Sequence, residues 1–436
     1  MKVVLEKLQS FLDKHLMPIA GRLGTERHLH AMQSTFQSII PIIMIGAFTM
    51  IISNPVVNYE KISASTFGYG FFKAWAEFAN TYGGPIQFLS TVTLGFVALY
   101  VTLGIGYFMA EDLKLNKFIA LAMVFINFMM INSFSVDGGI STDYFGGYGI
   151  FSGMVVAMFT VELYSFLIKK NIGRVRLPDT VPGALVDSLS SIIPMIIIFA
   201  IPTAIVMILS IGFNTSFPAL VMLIMTPFVS ATDNLLGFMI LTIIAQLVFF
   251  VGIHNDTIWN IMQPVFYANI AINAEAFANG AAATELPKII THPFMWNFCV
   301  IGGAGATLGL CILLLFSKNK QFKTIGRLSI VPAFFGVNEP ILFGLPIVLN
   351  PIMLIPFIVA QVANVIIAYG SMYFGLVNRT INYVGSQAPN IYSQIISTMD
   401  FKAVILFVML VILDALIYYP FLKSYEKQQN KLETAE

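Results

Sequence analysis

LSSIIPMIIIFAIPTAIVMILSIG, Leu189–Gly212, has no charged residue from end to end. About 20 apolar residues at 1.5 Å each cross the hydrocarbon of a bilayer, so this run is long enough to span it. The rest of the chain has the same character. Of its 436 residues, 57% are hydrophobic and 10% are charged, where a soluble domain carries about 25% charged residues. No soluble core of this length buries so much apolar surface, so lipid is the solvent for most of the chain.

Outward from Leu189–Gly212, similar runs lie at Gln33–Ile52, Leu89–Ala110, Phe118–Ser133, Gly149–Ile168, Phe217–Ser230, Leu235–Ile253, Phe294–Phe316, Pro351–Gly370 and Ala403–Phe421. The expected fold is therefore an all-α polytopic membrane protein with about ten transmembrane helices. Lys and Arg collect on the cytoplasmic side of such proteins. Lys2–Arg27, Lys114/Lys117, Lys169–Arg176, Lys318–Arg327 and Lys423–Lys431 all fall inside when the N-terminus is inside. Both termini are then cytoplasmic. Asn132–Gly149, with Asp137 and Asp143 and no base, falls outside. The short run at Phe217–Ser230 holds Pro218 and Pro227. Were it to lie flat, everything after it would flip, and the basic Ser317–Arg327 loop argues against that. The apolar runs start only after a mixed leader, which does not read as a cleaved signal peptide. Within Val3–His30, Val4, Leu5, Leu8, Phe11, Leu12, His15 and Leu16 recur at helical spacing, predicting an amphipathic helix on the inner surface.

Net charge is +1, so nothing points to nucleic acid. Cys299 and Cys311 share one apolar run and fit no metal or redox spacing. His254 and His292 have no ligand spacing either, and there is no phosphate-cradling or dinucleotide glycine loop, so neither metal nor cofactor is expected. The short Gly302-Gly303-Ala304-Gly305 run reads as small residues permitting close helix packing. Glu162, Asp187 and Asp414 sit in or near span ends, where an ionisable group is functional by default; the structural alternative is a headgroup or a basic loop partner.

Two stretches carry the chemistry. Phe249–Ile253 ends on His254-Asn255-Asp256, followed by Trp259, Asn260 and Gln263, and the region to His292 is too polar to span. It predicts a re-entrant element within about 254–292, since irregular backbone at membrane depth is tolerated only inside protein or along a wet cavity. The second stretch, VPAFFGVNEPILFGLP at Val331–Pro346, sets Asn338-Glu339 among three prolines and two glycines. Interior Pro removes a donor and clashes, so two half-helices meeting near Asn338–Pro340, in a second re-entrant element over about 330–350, fit better than one helix. No Lys or Arg lies between Arg327 and Arg379 to neutralise Glu339. Carboxylate, imidazole, amide and indole together, with little positive charge, suit a neutral polyhydroxylated ligand. The candidate ligand-binding residues are Glu339, His254, Asn338, Asn255 and Trp259, with Asn297, Asn350, Gln246 and Gln361 left open.

At Gly336–Pro351 (GVNEPILFGLPIVLNP), at the Gly252-Ile253-His254 turn and at Gly302–Leu308, the chain resembles the membrane subunit, enzyme IIC, of the bacterial sugar phosphotransferase system, in its lactose/cellobiose/chitobiose class. The resemblance implies a homodimer built through residues 1–214 and a sugar-binding half, 215–436, in which Glu339 and His254 meet sugar hydroxyls. It implies a β-linked disaccharide, cellobiose or N,N′-diacetylchitobiose before lactose. Phosphorylation is then the work of a separate phosphocysteine enzyme IIB, charged by enzyme IIA; neither is expected in this chain, which is non-catalytic on its own. The competing expectation is a cation-coupled disaccharide carrier using Glu162, Asp187 and Asp414. An intramembrane glycosyl or lipid transferase would need acidic pairs beside a basic phosphate site, and Asp256…Glu275 is too sparse for that.

Overall fold

The computed structural model describes residues 26–55, 59–61, 63–65, 68–135, 139–173, 183–250, 255–345, 347, 350–385 and 388–433. The leader up to residue 25 and His254 lie outside them, as does the side chain of Asp187. Apart from one isolated bridge between Phe134 and Ile140, the regular elements among the described residues are helices. In chain order they begin with α1 (Arg27–Ser53), α2 (Tyr69–Thr93), α3 (Val97–Asp112), α4 (Lys117–Asn132), α5 (Ile150–Lys169) and α6 (Gly183–Ser190). Then come α7 (Ile192–Val206), α8 (Phe217–Thr232), α9 (Leu235–Phe250), α10 (Asp256–Ala278) and α11 (Leu308–Leu315). The chain ends with α12 (Lys320–Phe334), α13 (Glu339–Gly344), α14 (Pro351–Tyr373), α15 (Asn390–Thr398) and α16 (Lys402–Glu433).

Among the described residues, six helical stretches are long and apolar enough to cross a membrane: Arg27–Ser53, Tyr69–Asp112, Gly147–Lys169, Ile192–Gly212, Ile352–Tyr373 and Lys402–Lys427. Lys117–Asn132, Phe217–Pro227 and Leu235–Phe250 are shorter apolar helices. The run expected as one span over Phe294–Phe316 is broken. A wide π-type turn at Phe294–Cys299 and a non-helical stretch precede α11. Gly302, Gly303, Gly305 and Ala306 there have φ of +78°, +101°, +77° and +55°, which an α-helix cannot accommodate. The second expected run, from Leu89, is instead the end of α2 and the whole of α3.

The chain divides into two compact units. Gly24–Asn54 and Ala74–Val229 form the first; Pro55–Lys73 and Ser230–Glu436 fall in the second. The first unit is stitched by glycines against threonines. A Cβ on Gly104 would sit 2.5 Å from Thr35 Cγ2, and one on Gly153 would sit 2.1 Å from Thr102 Oγ1. The threonine hydroxyls are turned back onto their own helices, Thr35 Oγ1 to Ala31 O at 2.7 Å and Thr102 Oγ1 to Ala98 O at 2.7 Å. Lipid tails are as apolar as leucine, so close backbone approach of this kind is what holds helices together in a membrane. Glu162 is engaged by Arg27 and, at 3.0 Å, by His28 Nε2, so its charge has a structural partner.

Candidate functional site

The second unit concentrates its polar side chains around broken helices. α12 ends at Phe334, and Gly336 turns the chain at φ +77°, so the two helices meet at Asn338 as the prolines and glycines require. Asn338 is 5% exposed. Its Nδ2 donates to Ala304 O at 2.7 Å and to Thr307 Oγ1 at 3.0 Å, so that amide nitrogen is committed to the 300–307 turn. The glycines of this turn do not serve helix-on-helix packing, as read from the sequence. They supply positive φ and room: a Cβ on Gly303 would lie 2.3 Å from Asn338 Cγ, and one on Gly305 2.1 Å from the Phe357 ring.

The next residue, Glu339, opens α13 and is exposed. Among the described residues its carboxylate makes no hydrogen bond or ion pair. An anchored backbone thus presents an unneutralised carboxylate, the form that accepts hydrogen bonds from hydroxyls most strongly.

α10 fills Asp256–Ala278 of the region expected to be re-entrant as one continuous helix, and from Pro264 to Ala274 it is buried on every side. Asn255, 4% exposed, precedes it, and its carbonyl accepts from Ile258 N at 2.9 Å and Trp259 N at 3.1 Å. Trp259, 1% exposed, packs with Phe238 and Phe266 at ring separations of 6.0 and 6.3 Å. Among the described residues, its Nε1 has no hydrogen-bond partner, and neither have the amide atoms of the fully buried Gln246 or Oε1 of Gln263. Buried polar atoms are normally paired, so these mark where a polar ligand or water completes the interior. The structure therefore describes Asn338, Glu339, Asn255 and Trp259 within one unit; it does not show a common cleft formed by them.

Below α10 lies a cluster that the sequence reading passed over. His292 is 3% exposed and sits 5.1 Å from the Tyr267 ring, 4.8 Å from Tyr383 and 5.9 Å from Trp296. Its Nδ1 is unpartnered, and burial holds its pKa down at about 3, so the ring is neutral. Tyr267 Oη donates to Tyr383 Oη at 3.2 Å. Nearby, Asn273 ties the loop to α10: its Nδ2 donates to Lys288 O at 2.7 Å and Thr380 O at 2.8 Å, and its Oδ1 accepts from Lys288 N at 2.9 Å. Asp233 accepts from Lys288 Nζ at 2.9 Å. Burial still pushes its carboxyl above the usual carboxylate range, with Lys288 offsetting part of that.

Asp414 in α16 is fully buried and accepts from Asn364 Nδ2 at 3.1 Å. Cys299 and Cys311 are free and buried. Among the described residues no three His, Cys, Asp or Glu side chains come together as metal ligands.

The family model described as "Phosphotransferase system, EIIC" matches residues 33–360. The "Lichenan permease IIC component" of Bacillus subtilis (strain 168) is 31% identical over 448 residues, covering 98% of this chain and 96% of that protein. The "PTS system cellobiose-specific EIIC component" of Geobacillus stearothermophilus is 29% identical over 451 residues, covering 99% and 97%. The crystal structure of ChbC, the IIC component of an N,N′-diacetylchitobiose-specific phosphotransferase system, superposes with a TM-score of 0.85 at 31% identity, covering 98% of this chain and 100% of that one.

Proposed function

Because this chain belongs to the phosphotransferase system EIIC family, we propose that it takes up a β-linked disaccharide and presents it to enzyme IIB for phosphorylation. It is an integral plasma-membrane sugar permease that works with enzymes IIB and IIA. Cellobiose and N,N′-diacetylchitobiose are the leading substrates, with lactose behind; relatives named for the first two cover almost the whole chain.

The observation that carries the reading is the carboxylate of Glu339, without a partner among the described residues, on a backbone pinned through Asn338. Glu339 and His254 hold sugar hydroxyls near the phosphorylated position. Asn255, Asn338 and Trp259 complete the lining, the indole Nε1 having no partner to give up among the described residues. Residues 1–214 form the scaffold through which two copies pair, and 215–436 form the moving sugar-binding half. The compactness of Ser230–Glu436 supports a separate second half, although 215–229 fall with the first unit. The ten spans include the broken Phe294–Phe316 run, the two re-entrant elements cover 254–292 and 330–350, and both termini face the cytoplasm. The binding half moves against the scaffold, the sugar faces inward, and phosphorylation traps it because a charged ester does not recross the membrane.

The test is binding of radiolabelled cellobiose, N,N′-diacetylchitobiose and lactose to purified protein. Hydrogen bonds to a charged group contribute about 1.5–3 kcal/mol each, so Glu339→Gln should weaken binding about 10- to 100-fold. His254→Ala should also weaken it. Unchanged affinity in both variants would sink the assignment.

A further inference from the structure

The turn that pins Asn338 is itself held from behind. Gly305 N donates to Gln361 Oε1 at 2.9 Å, and Tyr418 Oη donates to Gly305 O at 2.7 Å. Gln361 and Tyr418 are both 0% exposed. Both backbone polar groups of one glycine are thus taken by side chains from two helices, α14 and α16. Three residues along α14 from Gln361 stands Asn364, and four residues before Tyr418 on α16 stands Asp414. At these spacings each pair shares a helix face. The Asn364 Nδ2 to Asp414 Oδ2 bond at 3.1 Å joins the same two helices one turn away. Together they form a ladder of two polar rungs, one direct and one through Gly305. On its far side the turn closes on itself, with Thr307 Oγ1 donating to Gly302 O at 2.7 Å, and receives the Asn338 amide at Ala304 O and Thr307 Oγ1.

We infer that Gln361 and Tyr418 are positioning residues for Glu339, acting through Gly305 and Asn338 without touching the sugar. This rests on the reading of Glu339 as a sugar ligand. The physical case is continuity. Every link from Tyr418 to Asn338 is a hydrogen bond between buried groups, or the covalent turn itself. Glu339 follows Asn338 directly, and the Asn338 carbonyl starts α13 by accepting from Ile341 N at 3.1 Å and Leu342 N at 3.0 Å. A carboxylate gains from hydroxyls only if it stays in place, and among the described residues Glu339 has no protein partner of its own to fix it. Such support must come from the backbone beneath. The first turn of α13 supplies that backbone, and the glycine turn locks it. An isolated Tyr-to-glycine bond would be a stability feature only; here both sides of the turn are fastened, one to helices and one to the binding residue.

The experiment is a double-mutant cycle on sugar binding in the full-length protein. Tyr418→Phe removes one hydroxyl, and Gln361→Met keeps the volume while removing the acceptor. Each is combined with Glu339→Gln. Affinity for radiolabelled cellobiose and N,N′-diacetylchitobiose is measured beside thermal unfolding in detergent. Losing one hydrogen bond should weaken binding about three- to tenfold in the Glu339 background. That loss should largely vanish in the Glu339→Gln background, because residues acting through one group are not additive. A loss of equal size in both backgrounds, or an unchanged affinity in the Glu339 background, overturns the positioning role while leaving Glu339 as ligand. If Glu339→Gln alone binds both sugars like the unaltered chain, or if the unaltered chain binds neither, the reading of Glu339 fails first and this inference falls with it.

Discussion

In the first unit, buried hydroxyls such as those of Thr35 and Thr102 fold back onto their own helices, with Asn127 and Asn132 reaching across to other segments; in the second, amides that reach across predominate among the described residues. Thr35 and Thr102 bond the carbonyl four residues earlier, and their helices run unbroken past the glycines that face them. Asn273, Asn297, Asn338 and Gln394 instead bond backbone carbonyls distant in sequence. A hydroxyl satisfied within its own helix makes that helix a rigid, lipid-compatible rod. An amide that must find a partner elsewhere makes a fold whose pieces depend on one another, and only such a fold can keep irregular backbone dry at membrane depth. The contrast supports the proposal that the second unit handles the sugar: a polyol needs the diverse donors and acceptors that broken helices expose.

Four measurements break or sharpen this contrast. The largest effect is expected from Gly303→Ala. Its φ of +101° and a Cβ 2.3 Å from Asn338 Cγ leave no relaxed solution, so stability should fall by about 3 kcal/mol or more. Normal unfolding and sugar binding in that variant would show the turn to be soft and remove the basis for a pinned Asn338.

Next comes Asn338→Leu, which strips the partner from Ala304 O. A cost of about 1–3 kcal/mol in detergent unfolding is expected, from a buried acceptor left unmade, with weaker sugar binding because Glu339 loses its support. Binding that stays intact would detach Glu339 from the turn.

The third is a pH dependence. The folded-state pKa of His292, about 3, lies below its unfolded value of about 6.5. The unfolded chain therefore takes up the proton first. The stabilisation from a neutral His292 is complete above about pH 6.5 and declines as pH falls toward 3. At pH 5.5 the protein should have lost about 1.4 kcal/mol relative to pH 8 from this group. A His292→Phe variant should show a correspondingly flatter profile. Parallel profiles for the two proteins would mean that the ring is not buried as described.

The smallest belongs to the first unit. Asn127 Nδ2 donates to Thr160 Oγ1 at 2.9 Å, so Thr160→Val should cost about 0.6 kcal/mol, the usual scale of a hydrogen bond between membrane helices. Sugar affinity should not change; a drop would contradict the confinement of binding to the second unit.

How far these features could be read in advance depended on the kind of signal. Leu189–Gly212 announces a membrane helix because a charge-free run of that length has no soluble use, and α7 with the turn that follows fills it. The break at Asn338 is equally plain, since Pro and Gly act on backbone whatever surrounds them. Gly302–Gly305 misled because small residues in an apolar run spell helix packing and a tight turn with the same letters; only the φ values separate the two. The start of α2 at Tyr69 was hidden by Lys73, Glu77, Gly83, Gly84 and Pro85, too polar a mixture to suggest a long helix. Trp259 packs against Phe238 and Phe266, and its spacing to Met262 and Phe266 already gives that buried contact in the letters. His292 left no such trace: Thr291-His292-Pro293 has no period, and its burial arises from Tyr267 and Tyr383, far away along the chain.

The bond from Asn273 to Thr380 has a consequence for how this protein is made. Its partners are 107 residues apart, and ribosomes add about 5–20 residues each second. For roughly 5–20 s after α10 emerges, the buried Asn273 amide lacks one of its acceptors, because Thr380 has not been synthesised. A helix in that state is a poor guest for lipid. It should linger beside the insertion machinery until the chain beyond Thr380 arrives, and chains arrested before that point should still crosslink there through α10.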